Sequence, residues 1–110
     1  MKKILMLLCA VVGFCFIVSA AHINKRFICE NENREIVGRL QFYSDGTFYV
    51  KYYNQEFTGT YEIDGTPYPG DTNRITYYVN GQVTYGTYLW AIQDGQRAFF
   101  ENIEFKLSLR

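Results

Sequence analysis

Histidine and cysteine are nearly missing from this 110-residue sequence, and their scarcity narrows the chemistry open to it. The only histidine is His22, and Cys29 is the one of 3 cysteines beyond the first 20 residues. No Ser–His or Cys–His pair can then be assembled on a rigid scaffold, and the usual zinc sets fail for the same reason. Serine is equally thin downstream, where only Ser44 and Ser108 occur, and no glycine-rich phosphate loop is present. These absences argue against an enzyme and against a resident metal or cofactor. A lone Cys29 can make no internal disulfide, so a small domain here must rely on its aromatic side chains. Cys29 itself is either a buried, inert thiol or a bridge to a second copy in a homodimer.

Charge and hydropathy set the compartment. Lys2 and Lys3 precede an uncharged run from Ile4 to Val18, and Val18-Ser19-Ala20 supplies the small residues of a cleavage site. Residues 1–20 therefore read as a signal helix, or as an uncleaved anchor that would be the chain's only membrane contact. Cys9 follows Leu8 and Cys15 follows Phe14, so neither resembles a lipidation site. The domain proper is 21–110, placed outside the cell or in the periplasm and cell envelope. Losing Lys2 and Lys3 from 11 basic residues leaves 9 against 11 acids, a net charge of −2. That gives no basic field for nucleic acid or anionic lipid.

From residue 21 onward the pattern has the period of strands. Alternating β-branched and aromatic runs, cut by Gly, Asn and Asp, occupy 26–30, 35–43, 47–54, 57–63, 73–80, 83–92 and 97–107. Face parity selects a three-residue loop, Ser44-Asp45-Gly46, with a left-handed Gly46, pairing Phe42 with Phe48 and Leu40 with Val50. The next hairpin is read with Asn54-Gln55 as its loop, Tyr52 opposing Phe57 and Val50 opposing Gly59. Gly59-Thr60-Tyr61 returns as Gly86-Thr87-Tyr88, which suggests a repeated hairpin and turns Ile75, Tyr77, Tyr88, Trp90 and Ile92 inward. In the last run, Glu101 and Asn102 are two successive outward positions, read as a β-bulge. Seven short strands joined by short loops predict an all-β, antiparallel up-and-down meander, closed into a small barrel or a compact sandwich. The inward aromatics should fill it, leaving no deep ligand cavity.

Two resemblances accompany this reading. Phe42-Tyr43-Ser44-Asp45-Gly46-Thr47-Phe48, followed by Gly59 to Gly65, resembles the middle strands of bacterial exported lipocalin-like, calycin-type domains, which are small β-barrels. Phe27-Ile28-Cys29-Glu30, with Trp90, Gly95, Ala98 and Glu101, is similar to periplasmic lysozyme inhibitors. Here the second cysteine of that family's disulfide is missing, and Asp94 stands where a basic residue is expected.

Carboxylates and tyrosines remain as candidates. Glu62, Glu101 and Glu104 fall on outward faces, as solvated charge does. Asp64 and Asp71 flank the loop holding Pro67 and Pro69, which its turn residues explain without calcium. Tyr43, Tyr49, Tyr53, Tyr78 and Tyr85 face away from the main core set and are the candidate binding residues, since a flat apolar ring with a polar tip suits recognition. The sequence thus predicts a non-catalytic exported binding protein for a protein or glycan. An inhibitor of an envelope-directed hydrolase, or a structural component assembled through tyrosines and Cys29, are its alternatives.

Overall fold

The period-two alternation folds as nine strands in the computed structural model, which describes residues 20–108. They are β1 (Ala20–Ala21), β2 (Lys25–Glu30), β3 (Ile36–Phe42), β4 (Thr47–Tyr52), β5 (Gln55–Asp64), β6 (Thr72–Val79), β7 (Gln82–Ala91), β8 (Gly95–Phe100) and β9 (Ile103–Leu107). The signal segment read at 1–20 lies, apart from Ala20, outside the described residues. Every pairing is antiparallel, in the order β5-β4-β3-β2-β9-β8-β7-β6, and β6 returns to β5. Strands β2 to β9 therefore close an up-and-down barrel of eight strands, with β5 and β6 joined over Thr60–Ile63. The short β1 pairs with the far end of β5, Ala21 opposite Ile63, continuing the line of β4.

The eighth strand corrects the sequence reading. Glu101-Asn102 is a hairpin loop and not a bulge, with Phe100 opposite Ile103 and Glu101 at φ 57°. Two outward residues between two inward ones are the parity mark of a bulge and of a two-residue loop alike, and Glu101-Asn102 carries no glycine to announce the loop. The second correction is a slide in register. Tyr53-Asn54 forms the β4–β5 loop, so Tyr52 opposes Gln55, Val50 opposes Phe57 and Phe48 opposes Gly59. A slide of two residues keeps every side chain on its face, and alternation alone does not resolve it. The β3–β4 turn is the expected one. Gly46 sits at φ 90° and donates its N–H to the Tyr43 carbonyl at 3.1 Å, and Phe42 opposes Phe48.

The two related hairpins share one register. Phe48 opposes Gly59 as Ile75 opposes Gly86, and Tyr52 opposes Gln55 as Val79 opposes Gln82. Each glycine serves the same purpose, since a Cβ on Gly59 would run into the Tyr78 carbonyl and one on Gly86 into the Phe99 carbonyl. The missing side chain lets the next strand's backbone come close and the wall curve.

Inside, Phe27, Leu40, Phe42, Phe48, Tyr61, Ile75, Tyr77, Tyr88 and Phe105 are buried. Ring pairs such as Phe42–Tyr61 at 4.7 Å and Tyr77–Phe100 at 4.8 Å fill the middle of the barrel. Such pairs add roughly 0.5–1.5 kcal/mol each beyond the area they bury. Ile92, expected inward, is 77 % exposed, because β7 ends at Ala91 and leaves it in the connection to β8.

Candidate functional site

An up-and-down barrel gathers alternate loops at opposite ends, and the two ends here differ in chemistry. One end holds the β3–β4, β5–β6 and β7–β8 connections and the chain entering from β1. It is closed by polar side chains. The Tyr61 hydroxyl accepts the Ile23 N–H at 2.7 Å and lies 2.9 Å from the carbonyls of Ile23 and Tyr43. Beside it, Gln96 Oε1 accepts from the Tyr88 hydroxyl and from Lys25 Nζ at 2.9 Å, and Lys25 stands 5.2 Å over the Trp90 ring. Burial pushes the Tyr88 hydroxyl up to about 12. His22, expected outside the folded strands, packs edge-on against Tyr61 with ring centroids 5.3 Å apart.

At the other end, where the β2–β3, β4–β5, β6–β7 and β8–β9 connections lie, residues of β4 to β9 together with Glu101 line an open cup of about 300 Å³. Its apolar lining includes Tyr52, Phe57, Val79, Val83 and Phe100, with Phe57 stacked on Phe100 at 5.9 Å. The sequence turned Phe57 inward, and it does face the cup. It is nevertheless 39 % exposed, because the corrected register sets it close to the mouth.

The five candidate tyrosines divide among three surfaces. Tyr43 and Tyr49 border a groove on the outer wall of β2–β4 with Arg39 and Gln41. Tyr49 donates to Glu56 Oε2 at 2.5 Å, and that bond to the carboxylate raises its hydroxyl above the ordinary range. Tyr53 sits exposed at the tip of the β4–β5 loop, its ring against Tyr52. Tyr78 and Tyr85 lie on the outer wall of β6–β7, where the Arg74 guanidinium covers the Tyr85 ring at 5.4 Å. Tyr78 opposes Val83, which also lines the cup. An exposed apolar track therefore runs from Tyr85 past Tyr78 and Val83 to the rim and Phe57.

Acidic and basic side chains lie outside this core. No charged or polar residue is buried among the described residues. No three His, Cys, Asp or Glu side chains among them gather as a metal site. Asp64 pairs with Arg74 at 3.4 Å, and Arg97 bridges Asp94 and Glu104 on the outer wall. Cys29 is a free, half-buried thiol held above its ordinary value by burial, with Glu104 and Glu30 adding to it. Comparison with family models, with curated proteins and with solved structures found no match for this chain.

Proposed function

We propose that this chain is an exported, non-catalytic binding protein, built on a lipocalin-like barrel, that recognises a protein or glycan in the cell envelope or outside the cell. The observation carrying this reading is the exposed track of Tyr85, Tyr78, Val83 and Phe57, four large apolar side chains left to solvent along one wall and its rim. Tyrosine is enriched at recognition surfaces because its ring and hydroxyl serve apolar and polar contacts together. Placing the ionised side chains outside the core, where water solvates them, is also what a module without acid–base work would do.

Pull-down from envelope extracts tests it. The native domain should retain a partner or glycan that the Tyr78→Ala/Tyr85→Ala double variant loses, while both unfold at nearly the same midpoint. Equal retention by the two proteins would remove the track from the proposal. The hydrolase-inhibitor reading is favoured by one feature, the exposed Tyr53 on a tight two-residue tip suited to entering a cleft. It requires one hydrolase recovered in stoichiometric amount. Assembly through Cys29 would instead appear as a dimer on sizing that reductant dissolves.

A further inference from the structure

The four connections at the open end each hold one non-glycine residue in the left-handed region: Arg34 at φ 62°, Tyr53 at 56°, Asn80 at 52° and Glu101 at 57°. Asparagine tolerates this conformation, but arginine, tyrosine and glutamate do not favour it. Strain of this kind persists where the side chain is needed, and it gathers at ligand sites. Glu101 is the clearest instance. It is the one ionised side chain lining the cup, and its carboxylate accepts a hydrogen bond from the Thr84 hydroxyl at 3.0 Å. It makes no ion pair among the described residues. Beside it stand the stacked rings of Phe57 and Phe100, with Tyr52, Val79 and Val83 completing the apolar wall.

We propose that the cup is a binding site for a compact organic cation, an ammonium group on a short aromatic or apolar body. This goes beyond the surface recognition argued above and does not depend on it. The apolar wall takes the body, and the aromatic faces and the unpaired carboxylate both favour a positive charge. Depth limits size. Below the cup, Phe48, Tyr77 and Phe100 pack ring against ring, so a long chain has nowhere to go. A volume of about 300 Å³ lies at the small end of the range for small-molecule sites. Anionic amphiphiles such as fatty acids would meet a like charge and negative ring faces.

Calorimetry and NMR titration with phenethylamine, 2-phenylethanol and 3-phenylpropionate separate charge from shape, since the three differ chiefly in their end group. Phenethylamine should bind saturably, at least tenfold more tightly than the alcohol, and shift the signals of Phe57, Val79 and Val83. The propionate should not bind. Glu101→Gln should bring the amine down to the alcohol's affinity and leave the alcohol unchanged, with an unaltered unfolding midpoint. Val83→Trp, at the exposed rim, should close the cup to both. Equal affinity for amine and alcohol would overturn the proposal. Indifference to Glu101→Gln, or shifts centred on Tyr78 and Tyr85, would do the same. Because no macromolecular partner enters these titrations, their failure is distinct from failure of the pull-down.

Discussion

The two ends of this barrel are made of the same strands and solve opposite problems. At the closed end, buried tyrosine hydroxyls and Lys25 are matched to backbone carbonyls and to Gln96. Its left-handed backbone positions are occupied by glycines 46, 65, 70 and 95. At the open end, apolar side chains face solvent, and Arg34, Tyr53, Asn80 and Glu101 occupy the left-handed positions, where Gly81 is the only glycine. Satisfied polar groups and relaxed turns are what stability asks for. Exposed apolar surface and strained turns are what stability alone would remove, and they set the open end apart from the closed one.

The widest gap between the ends should appear when a ring is deleted from each. Phe42 is fully buried, and removing a buried aromatic ring costs about 3–5 kcal/mol through lost transfer energy and the cavity left behind. Phe57→Ala at the open end, where water already reaches the ring, should cost about 1 kcal/mol. Denaturant melts of the two variants measure the difference. Equal losses would mean that the cup is part of the core and not a surface.

Alkali offers a second separation. Burial holds the Tyr88 hydroxyl protonated in the fold up to about 12, and Tyr77 and Tyr61 are raised as well, against an ordinary value of 10.0. The folded state then binds protons more tightly than the unfolded chain. The stability tied to Tyr88 is complete below pH 10 and is lost as the pH climbs toward about 12. Tyr88→Phe should flatten part of that fall, leaving the share due to Tyr61 and Tyr77. An unchanged slope in the variant would take the closed end's polar seal out of the account.

Much of this fold is legible from alternation and turn residues, and the two misplaced connections have a common cause. Leu40 opposite Val50, and Phe42 opposite Phe48, follow from parity joined to a glycine that only a left-handed turn explains. Where no glycine marks the turn, as at Tyr53-Asn54 and Glu101-Asn102, alternation does not separate registers two residues apart, nor a loop from a bulge. Both misreadings preserve every inward and outward assignment, so the side-chain pattern carries no signal against them. The open cup was hidden for the same reason. Its existence depends on how far Phe57 and Val83 stand from their loops, and register fixes that distance where face does not. The outward tyrosines were individually readable, but their division among three surfaces needed the barrel's closure.

The smallest expected effect is also the one with an opposite sign at the two ends. At the closed end Gly46 has φ 90°, and a Cβ there would sit 2.9 Å from the His22 ring. Gly46→Ala should therefore destabilise by about 1–2 kcal/mol, the left-handed penalty for an L-residue. At the open end the penalty is already present. Glu101→Gly relieves it at φ 57° and gives up one exposed hydrogen bond to Thr84. It also loosens the unfolded chain, which offsets roughly 0.4–1 kcal/mol of the gain. The net should be a stabilisation of about 0.5 kcal/mol, with Tyr53→Gly behaving alike and Asn80→Gly, already tolerant of the conformation, close to zero. Urea melts resolve these signs when the four variants are compared under one set of conditions. If Glu101→Gly and Tyr53→Gly destabilise as Gly46→Ala does, the open end is strained in appearance only. If they stabilise while Glu101→Gly lowers phenethylamine to the alcohol's affinity, the rim carries its strain at the residue whose carboxylate holds the amine.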